Sequence, residues 1–328
     1  MYKTFIVIYL ITLASVIISG VIFIPFLKRI KAGQNVLGYV KEHSFKNGTP
    51  TMGGLFFVLP SIVISLAFFK DDKRLARLTL IITFAYMAVG FLDDFLKIKN
   101  KRNLGLKAYQ KIIFQFSIAI VCAVFCYKTG LTDVFIPFTK KSVDLKCWAI
   151  PLIIVVFLAT TNTVNLTDGL DGLASSSSLI YLLFMLILCL LQVNKVEYAI
   201  NYSEYKNLFY CMVVFIGALC GFLIFNTFKA KVFMGDTGSL ALGGIIACVS
   251  IFTGNSLYIL IIGFVFVLSG LSVILQVSYF KITHGKRIFL MSPFHHHLQH
   301  KGLAESKIVY IYSIITVVMG LISIFNYV

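Results

Sequence analysis

The chain has 328 residues, of which 59% are hydrophobic and 13% charged, with a mean hydropathy of +0.92. A soluble domain carries about 25% charged residues, so this chain cannot cover a water-facing surface and reads as an integral membrane protein. The net charge of +16 would suggest nucleic acid on a soluble protein. Here the lysines sit in loops between apolar runs, so the charge reports membrane orientation and no nucleic-acid partner is expected.

A bilayer-spanning helix needs about 20 mostly apolar residues, and the apolar runs lack the alternation of an outer-membrane barrel. In chain order the candidate spans are 4–27, 53–69, 75–92, 112–127, 148–164, 173–193, 207–225, 239–254, 257–280 and 308–327. The first starts after Lys3 but is longer than a signal-peptide core and lacks a small-x-small cleavage site, so it reads as a retained helix. Ser175–Ser178 opens the sixth span on its packing side, where small residues let helices approach. In the ninth, Gly263, Ser269, Gly270 and Ser272 can bend the helix or pack it closely. The expected architecture is an all-α polytopic membrane protein, a bundle of about ten transmembrane helices forming one membrane domain over residues 1–328. The five odd-numbered loops hold 18 of the 29 Lys and Arg residues. The cytoplasmic side normally carries that excess, which puts those loops inside and both termini outside. The seven cysteines form no CxxC pair and read as small packing residues.

The polar chemistry gathers on that inside face. Asp93 and Asp94 stand in GFLDDFLKIKNKR, Asp168 and Asp171 in NLTDGLDGLA, Asp236 in FMGDTGS, and four of the six histidines in SPFHHHLQHKG. Carboxylates at the ends of apolar helices are functional candidates by default. Asp71, Asp72, Asp133 and Asp144, in outside loops beside lysines, read instead as solvated or capping groups. Asn165, Asp168 and Asp171 recur every three residues and share one face if the helix continues through them. Asp93 and Asp94 repel each other, and Lys97 or a hard divalent cation relieves that repulsion. The ligands are all oxygens, which suits Mg²⁺ held by one or two carboxylates plus substrate phosphates. Three consecutive histidines without Cys or Glu at ligand spacing do not make a zinc site. Lys46, Thr49 and Thr51 lie in a glycine-containing loop, and Gly235, Thr237, Gly238 and Ser239 surround Asp236 at a helix start, a ready anion site. Carboxylates for metal with Lys, His and glycine-rich donors for phosphate form a phosphoryl-transfer set, without a P-loop or kinase pattern.

Taken together, GTPTMGG (48–54), FLDDFLK (91–97), NLGLKAYQK (103–111), NTVNLTDGLDGLA (162–174), GFLIFN (221–226), AKVFMGDTGSLALGG (230–244) and SPFHHH with KG and ESK (292–307) resemble the phospho-N-acetylmuramoyl-pentapeptide-transferase family, in its order and across nearly the whole chain. The resemblance implies an Mg²⁺-dependent enzyme of the bacterial cytoplasmic (inner) membrane. It transfers phospho-MurNAc-pentapeptide from UDP-MurNAc-pentapeptide to undecaprenyl phosphate, giving lipid I and UMP in peptidoglycan synthesis. It also implies a cytoplasmic active site, membrane lipids as partners and room for a homodimer. By the same resemblance Asp93, Asp94 and Asp236 are catalytic carboxylates, with Asp236 the Mg²⁺ ligand. Asn165, Asp168, Asp171, Asn226, Phe233 and Lys46 belong to the nucleoside and diphosphate pocket, with Asp171 nearest the uracil, and Thr51 lies in the substrate loop. Lys97, Lys111 and the catalytic His295 contact phosphate, and His296 and Gln276 line the pocket. The chain departs from the family in having Gln299 after the histidines and no proline in NTFKAK. Two other readings compete: a GlcNAc-1-phosphate transferase acting on the same lipid, and a secondary transporter. Carboxylates at helix ends rather than span centres weigh against the transporter.

Overall fold

The computed structural model describes residues 2–29, 48–70, 73–100, 105–193 and 202–328. Helices α1 (Tyr2–Arg29), α2 (Gly54–Phe68), α3 (Arg74–Lys99) and α4 (Ala108–Thr129) lead to a two-stranded antiparallel hairpin, β1 (Asp133–Ile136) and β2 (Lys141–Asp144). Then follow α5 (Ala149–Thr167), α6 (Leu173–Val193), α7 (Tyr202–Asn226), α8 (Gly235–Phe252), the single turn α9 (Ile259–Ile262), α10 (Phe264–Ile282), the short α11 (Phe294–His300) and α12 (Glu305–Ile324). Among the described residues nine helices are long and apolar enough to cross a membrane, and α2 is a shorter apolar helix.

Helix α8 is the axis of the bundle. Every residue from Thr237 to Phe252 is buried. Without a hydrophobic drive between helices in lipid, close approach of small residues supplies the contact energy, and α8 reads GDTGSLALGGIIACVS for that reason. A Cβ at Gly243 would overlap the Thr161 backbone of α5, and one at Gly244 would meet the Tyr86 ring of α3 at 2.9 Å. A Cβ at Gly90 of α3 would overlap the carbonyl of Asp236. Around this axis Phe56 and Phe57 of α2 pack on Phe222 of α7, with ring centroids 5.3 and 4.8 Å apart. Helices α1, α4, α10 and α12 expose Ile, Leu, Val and Phe on their outer faces, as lipid-facing helices do.

Two expectations from the sequence need correction. The span 257–280 is not one helix: Gly263 closes α9 and opens α10, with its N–H on the Ile259 carbonyl at 3.0 Å. A bend there was among the options, and it falls at Gly263, whereas Gly270 and Ser269 serve close packing. Thr167 Oγ1 donates to Ser269 Oγ at 2.9 Å, and a Cβ at Gly270 would press on Thr163 at 2.5 Å. The all-α architecture holds, with one short hairpin added. In the loop at 128–147 the β-branched and aromatic residues Val134, Phe135, Ile136 and Val143 pair across the hairpin, and the Phe135 N–H donates to the Gly254 carbonyl at 2.8 Å. Finally, α5 ends at Thr167, so Asn165, Asp168 and Asp171 do not share a helical face. Asp168 has already left helical geometry (ψ 50°) and Gly172 lies at φ +80°, which turns the chain into α6. The structure also bears on the capping reading of Asp144, which accepts from Thr132 Oγ1 at 2.5 Å and the Lys146 N–H at 2.9 Å. The serine run packs inward as expected, with Ser175, Ser177 and Ser178 fully buried.

Candidate active site

Four helices, α3, α4, α5 and α8, bring six of the expected residues to one point. Asp93, Asp94 and Lys97 lie on the last turns of α3 at i,i+4 and i,i+3 spacing, so Lys97 faces both carboxylates one turn on. Its Nζ lies 2.6 Å from Asp93, 3.7 Å from Asp94 and 3.2 Å from Asp236. Lys111, in the first turn of α4, sits 2.9 Å from the same Asp236 oxygen and 3.4 Å from Asn165 Oδ1. Asn165, two residues from the end of α5, donates to the other Asp236 oxygen at 2.7 Å and to Ser239 at 2.8 Å. Oxygens of Asp93, Asp94 and Asp236 all lie within 4.8 Å of one another. Two ammonium groups against three carboxylates leave a net negative centre, and an all-oxygen set at this spacing fits a hard divalent cation.

Each carboxylate is held by the chain itself. Asp93 Oδ1 accepts the Leu106 N–H at 2.8 Å, and Gly105 beside it leaves no room for a Cβ, which would sit 2.5 Å from that oxygen. Asp94 Oδ2 accepts both the N–H and the hydroxyl of Thr237, at 2.9 and 2.7 Å. The anion site expected at the start of α8 is therefore occupied by a carboxylate of the protein. Gly235, at φ +69°, makes the sharp turn that presents Asp236. A Cβ there would lie 2.7 Å from Thr51 Oγ1, which places Thr51 against the same turn. The glycine-rich loop is stitched to it through backbone: Phe233 N–H donates to Pro50 at 2.8 Å, Gly53 N–H to Phe233 at 2.9 Å and Gly54 N–H to Met234 at 3.0 Å.

A second group forms around the DGLD turn. Asp171 is buried and accepts the Ala230 N–H at 3.0 Å, while its own N–H donates to Glu305 at 2.6 Å. Asn226 accepts from Ser175 at 2.7 Å and donates to the Val232 carbonyl at 3.0 Å. Asp168 follows α5 directly, its N–H on the Asn165 carbonyl at 3.2 Å. His295 and His296 of α11 cover the turn: a Cβ at Gly169 would overlap His295 Nε2 and lie 3.1 Å from His296 Nε2. His296 shares a 2.7 Å hydrogen bond with Gln299. His295 is fully buried, and neither ring nitrogen has a hydrogen-bond partner among the described residues. Burial, and then the neighbouring His296, hold its pKa well below the usual histidine value. Gln276 spends its amide on the backbone of Ile288 and Phe289, at 2.9–3.1 Å. It braces the segment before α11. Lys46 lies outside the described residues.

With that geometry in place, comparison with known proteins is decisive. Residues 76–254 match glycosyl transferase family 4, and residues 46–58 match the phospho-N-acetylmuramoyl-pentapeptide-transferase signature 1. A phospho-N-acetylmuramoyl-pentapeptide-transferase of Clostridium botulinum (strain Eklund 17B) is 43% identical over 93% of this chain and 91% of its own. That of Caldanaerobacter subterraneus is 42% identical over 94% of each chain, and that of Clostridioides difficile 42% over 96% and 95%. The chain belongs to the phospho-N-acetylmuramoyl-pentapeptide-transferase family. Among the family motifs quoted from the sequence, those carrying Asp93, Asp94, Lys97, Lys111, Asn165 and Asp236 are the ones that meet in space.

Several partners of this site escaped the sequence reading. Thr237 and Ser239 were expected to face an anion, not to hold Asp94 and Asn165. Glu305 stands in the ESK motif with no chemical neighbour in sequence to mark it. Gln115, one turn deeper than Lys111, is an isolated polar residue within an apolar span, and Asn162, one turn deeper than Asn165, opens the NTVNLTDGLDGLA motif with no role of its own; only their pairing at 2.6 Å shows them to be connected.

Proposed function

We infer that this protein transfers phospho-MurNAc-pentapeptide from UDP-MurNAc-pentapeptide to undecaprenyl phosphate, forming lipid I and releasing UMP. The observation that carries this is the cluster of Asp93, Asp94, Lys97, Lys111, Asn165 and Asp236 at the ends of apolar helices in a chain of this family. The substrate pair asks for such a place: a polyprenyl tail must stay in lipid while its phosphate reaches a water-soluble diphosphate. In this reading α2 is the tenth membrane segment, both termini are outside, and the cluster faces the cytoplasm of the inner membrane. The lysine excess of the odd loops supports that orientation.

Two anions must meet, so charge neutralisation and in-line positioning dominate the barrier. Lys97 and Lys111 bring two ammonium groups to Asp236, where the diphosphate and the acceptor phosphate converge. Asp236 would hold Mg²⁺ with Asp93 and Asp94 alongside, and the ion would supply Lewis-acid stabilisation of the phosphoryl oxygens. Asp93 positions rather than deprotonates. Both of its oxygens are engaged, by Leu106 N–H and Lys97, and a phosphomonoester with its second pKa at about 6 is mostly dianionic at neutral pH. Asp168, Asp171, Asn226, Phe233, Thr51 and Lys46 serve the nucleoside and diphosphate. The fully buried imidazole of His295 is suited to a phosphate oxygen, because a buried polar group without a partner is costly until a ligand supplies one. Purified protein with undecaprenyl phosphate and Mg²⁺ should release UMP from UDP-MurNAc-pentapeptide. Release from UDP-GlcNAc alone would overturn the assignment.

A further inference from the structure

One turn below the carboxylate cluster lies a second polar constellation that the chemistry above does not use. Gln115 of α4 is fully buried in a helix whose neighbouring residues Ile112, Ile113, Phe114 and Phe116 are exposed. Its Oε1 accepts from Asn162 Nδ2 of α5 at 2.6 Å, and its Nε2 lies 3.5 Å from Asn162 Oδ1. Asn162 also donates to the Leu158 carbonyl at 2.8 Å. The main-chain carbonyl of Gln115 accepts the buried Tyr86 hydroxyl of α3 at 3.0 Å. One residue on α4 thus binds side chain to α5 and backbone to α3.

The spacing ties this pair to the site. Gln115 is four residues after Lys111, and Asn162 three before Asn165, so each lies on the same helical face as the group that touches Asp236. Tyr86 is seven residues, two turns, before Asp93. The three helices joined here are those that present Asp93, Asp94 and Lys97, then Lys111, then Asn165. The need for a clamp follows from α4. Its buried stripe beyond Gln115 is Ala119, Cys122, Ala123 and Cys126, small side chains that fix neither rotation nor height. A lysine near the end of such a lipid-facing helix tends to swing its charge toward water. An interhelical amide pair in the apolar layer sets both, because a shift of α4 would take the Gln115 amide from its Asn162 partner within hydrocarbon.

We propose that Gln115 and Asn162 form a membrane-embedded positioning clamp that sets Lys111 and Asn165 against Asp236. The proposal rests on the transferase reading and adds positioning residues to it; neither side chain touches substrate.

The test uses full-length protein, with UMP release measured far below each variant's unfolding midpoint. Gln115→Leu and Asn162→Leu should each lower kcat about tenfold, since misplacements of about 1 Å are costly in transfer reactions. KM for the nucleotide substrate should rise less than kcat falls, because the turn that holds Asp171 and Asn226 is not built by this pair. The exchange variant, Gln115→Asn with Asn162→Gln, keeps the same two amides and should recover most of kcat. A merely structural pair would shift the unfolding midpoint and leave kcat alone. Either leucine variant with wild-type kcat, or an exchange variant as slow as the single ones, overturns the clamp. If the leucine variants do not accumulate, Tyr86→Phe removes only the hydroxyl on the Gln115 carbonyl. A severalfold fall in kcat supports the clamp, and an unchanged kcat overturns it. A wild-type protein that releases no UMP overturns the transferase reading and the clamp with it, whereas an active wild type with unaffected variants overturns the clamp alone.

Discussion

At the scale of single residues, the site is a set of charges whose positions are fixed before any substrate arrives. Asp93, Asp94 and Asp236 would repel one another, and Lys97 within 4 Å of all three is the main compensation. A base and a positioning group at Asp93 differ in their response to pH. If Asp93 only positions, Asp93→Asn should lose about 10²-fold in kcat, with the same deficit at every pH from about 6 to 9. Full recovery at about pH 9, where the acceptor phosphate needs no base, would assign it the proton instead. His295 makes a second prediction. Its pKa is held below the usual histidine range by burial and then by His296. The unfolded chain therefore binds a proton that the folded one does not, and stability falls as pH drops below about 6.5. His295→Asn cannot take up that proton. Its unfolding midpoint in detergent should depend less on pH between about 7.5 and 5.5 than the wild type's, and equal dependence would show that His295 titrates alike in the folded and unfolded chain.

At the scale of elements, the position of Asp236 is decided by how closely α8 can approach α3 and α2. Gly90 touches the Asp236 carbonyl, and Gly54 touches Gly238, with no space for a Cβ at either. Gly90→Ala should cost about 1–3 kcal/mol through overpacking. Because the displaced atom belongs to Asp236, activity should fall even where the protein stays folded. A thermal midpoint and kcat both equal to wild type would mean that the two helices have slack. The break at Gly263 and the hairpin at 133–144 are element-scale features of another kind. The Phe135 N–H on the Gly254 carbonyl ties the hairpin to the loop between α8 and α9, on the side opposite Asp236.

At the scale of the whole molecule, the proposed orientation puts the Asp236 end of α8 inside and the hairpin outside. Cys147 provides a direct test. It is exposed, whereas Cys122, Cys126, Cys189, Cys211 and Cys248 are buried. It follows the hairpin and precedes α5. A membrane-impermeant maleimide should label Cys147 in right-side-out vesicles and spare it in inverted ones. The reverse pattern would place the carboxylate cluster outside, where no UDP-linked donor is made, and would end the proposed reaction scheme.

The sequence alone determined the class of the molecule, the place of nearly every membrane helix and the identity of the polar motifs. Long apolar runs allow few other structures in lipid, because each backbone polar group must be satisfied within its own helix. It also drew Asp93, Asp94, Lys97, Lys111, Asn165 and Asp236 from four separate motifs into one candidate site. It could not decide who pairs with whom. NLTDGLDGLA suggested three polar residues on one face, yet the end of α5 at Thr167 sends Asn165 to Asp236 and Asp171 to Ala230 and Glu305. The start of α8 looked like a site for substrate phosphate, yet Asp94 fills it from another helix. Gln115 lies outside every quoted motif and Asn162 only opens one, so nothing in the sequence pairs them. Helix formation in a membrane is settled by local composition, but the partners of a polar side chain depend on which helices are adjacent and at what height. That was decided by the packing of glycine, alanine and serine along α8, a tertiary fact.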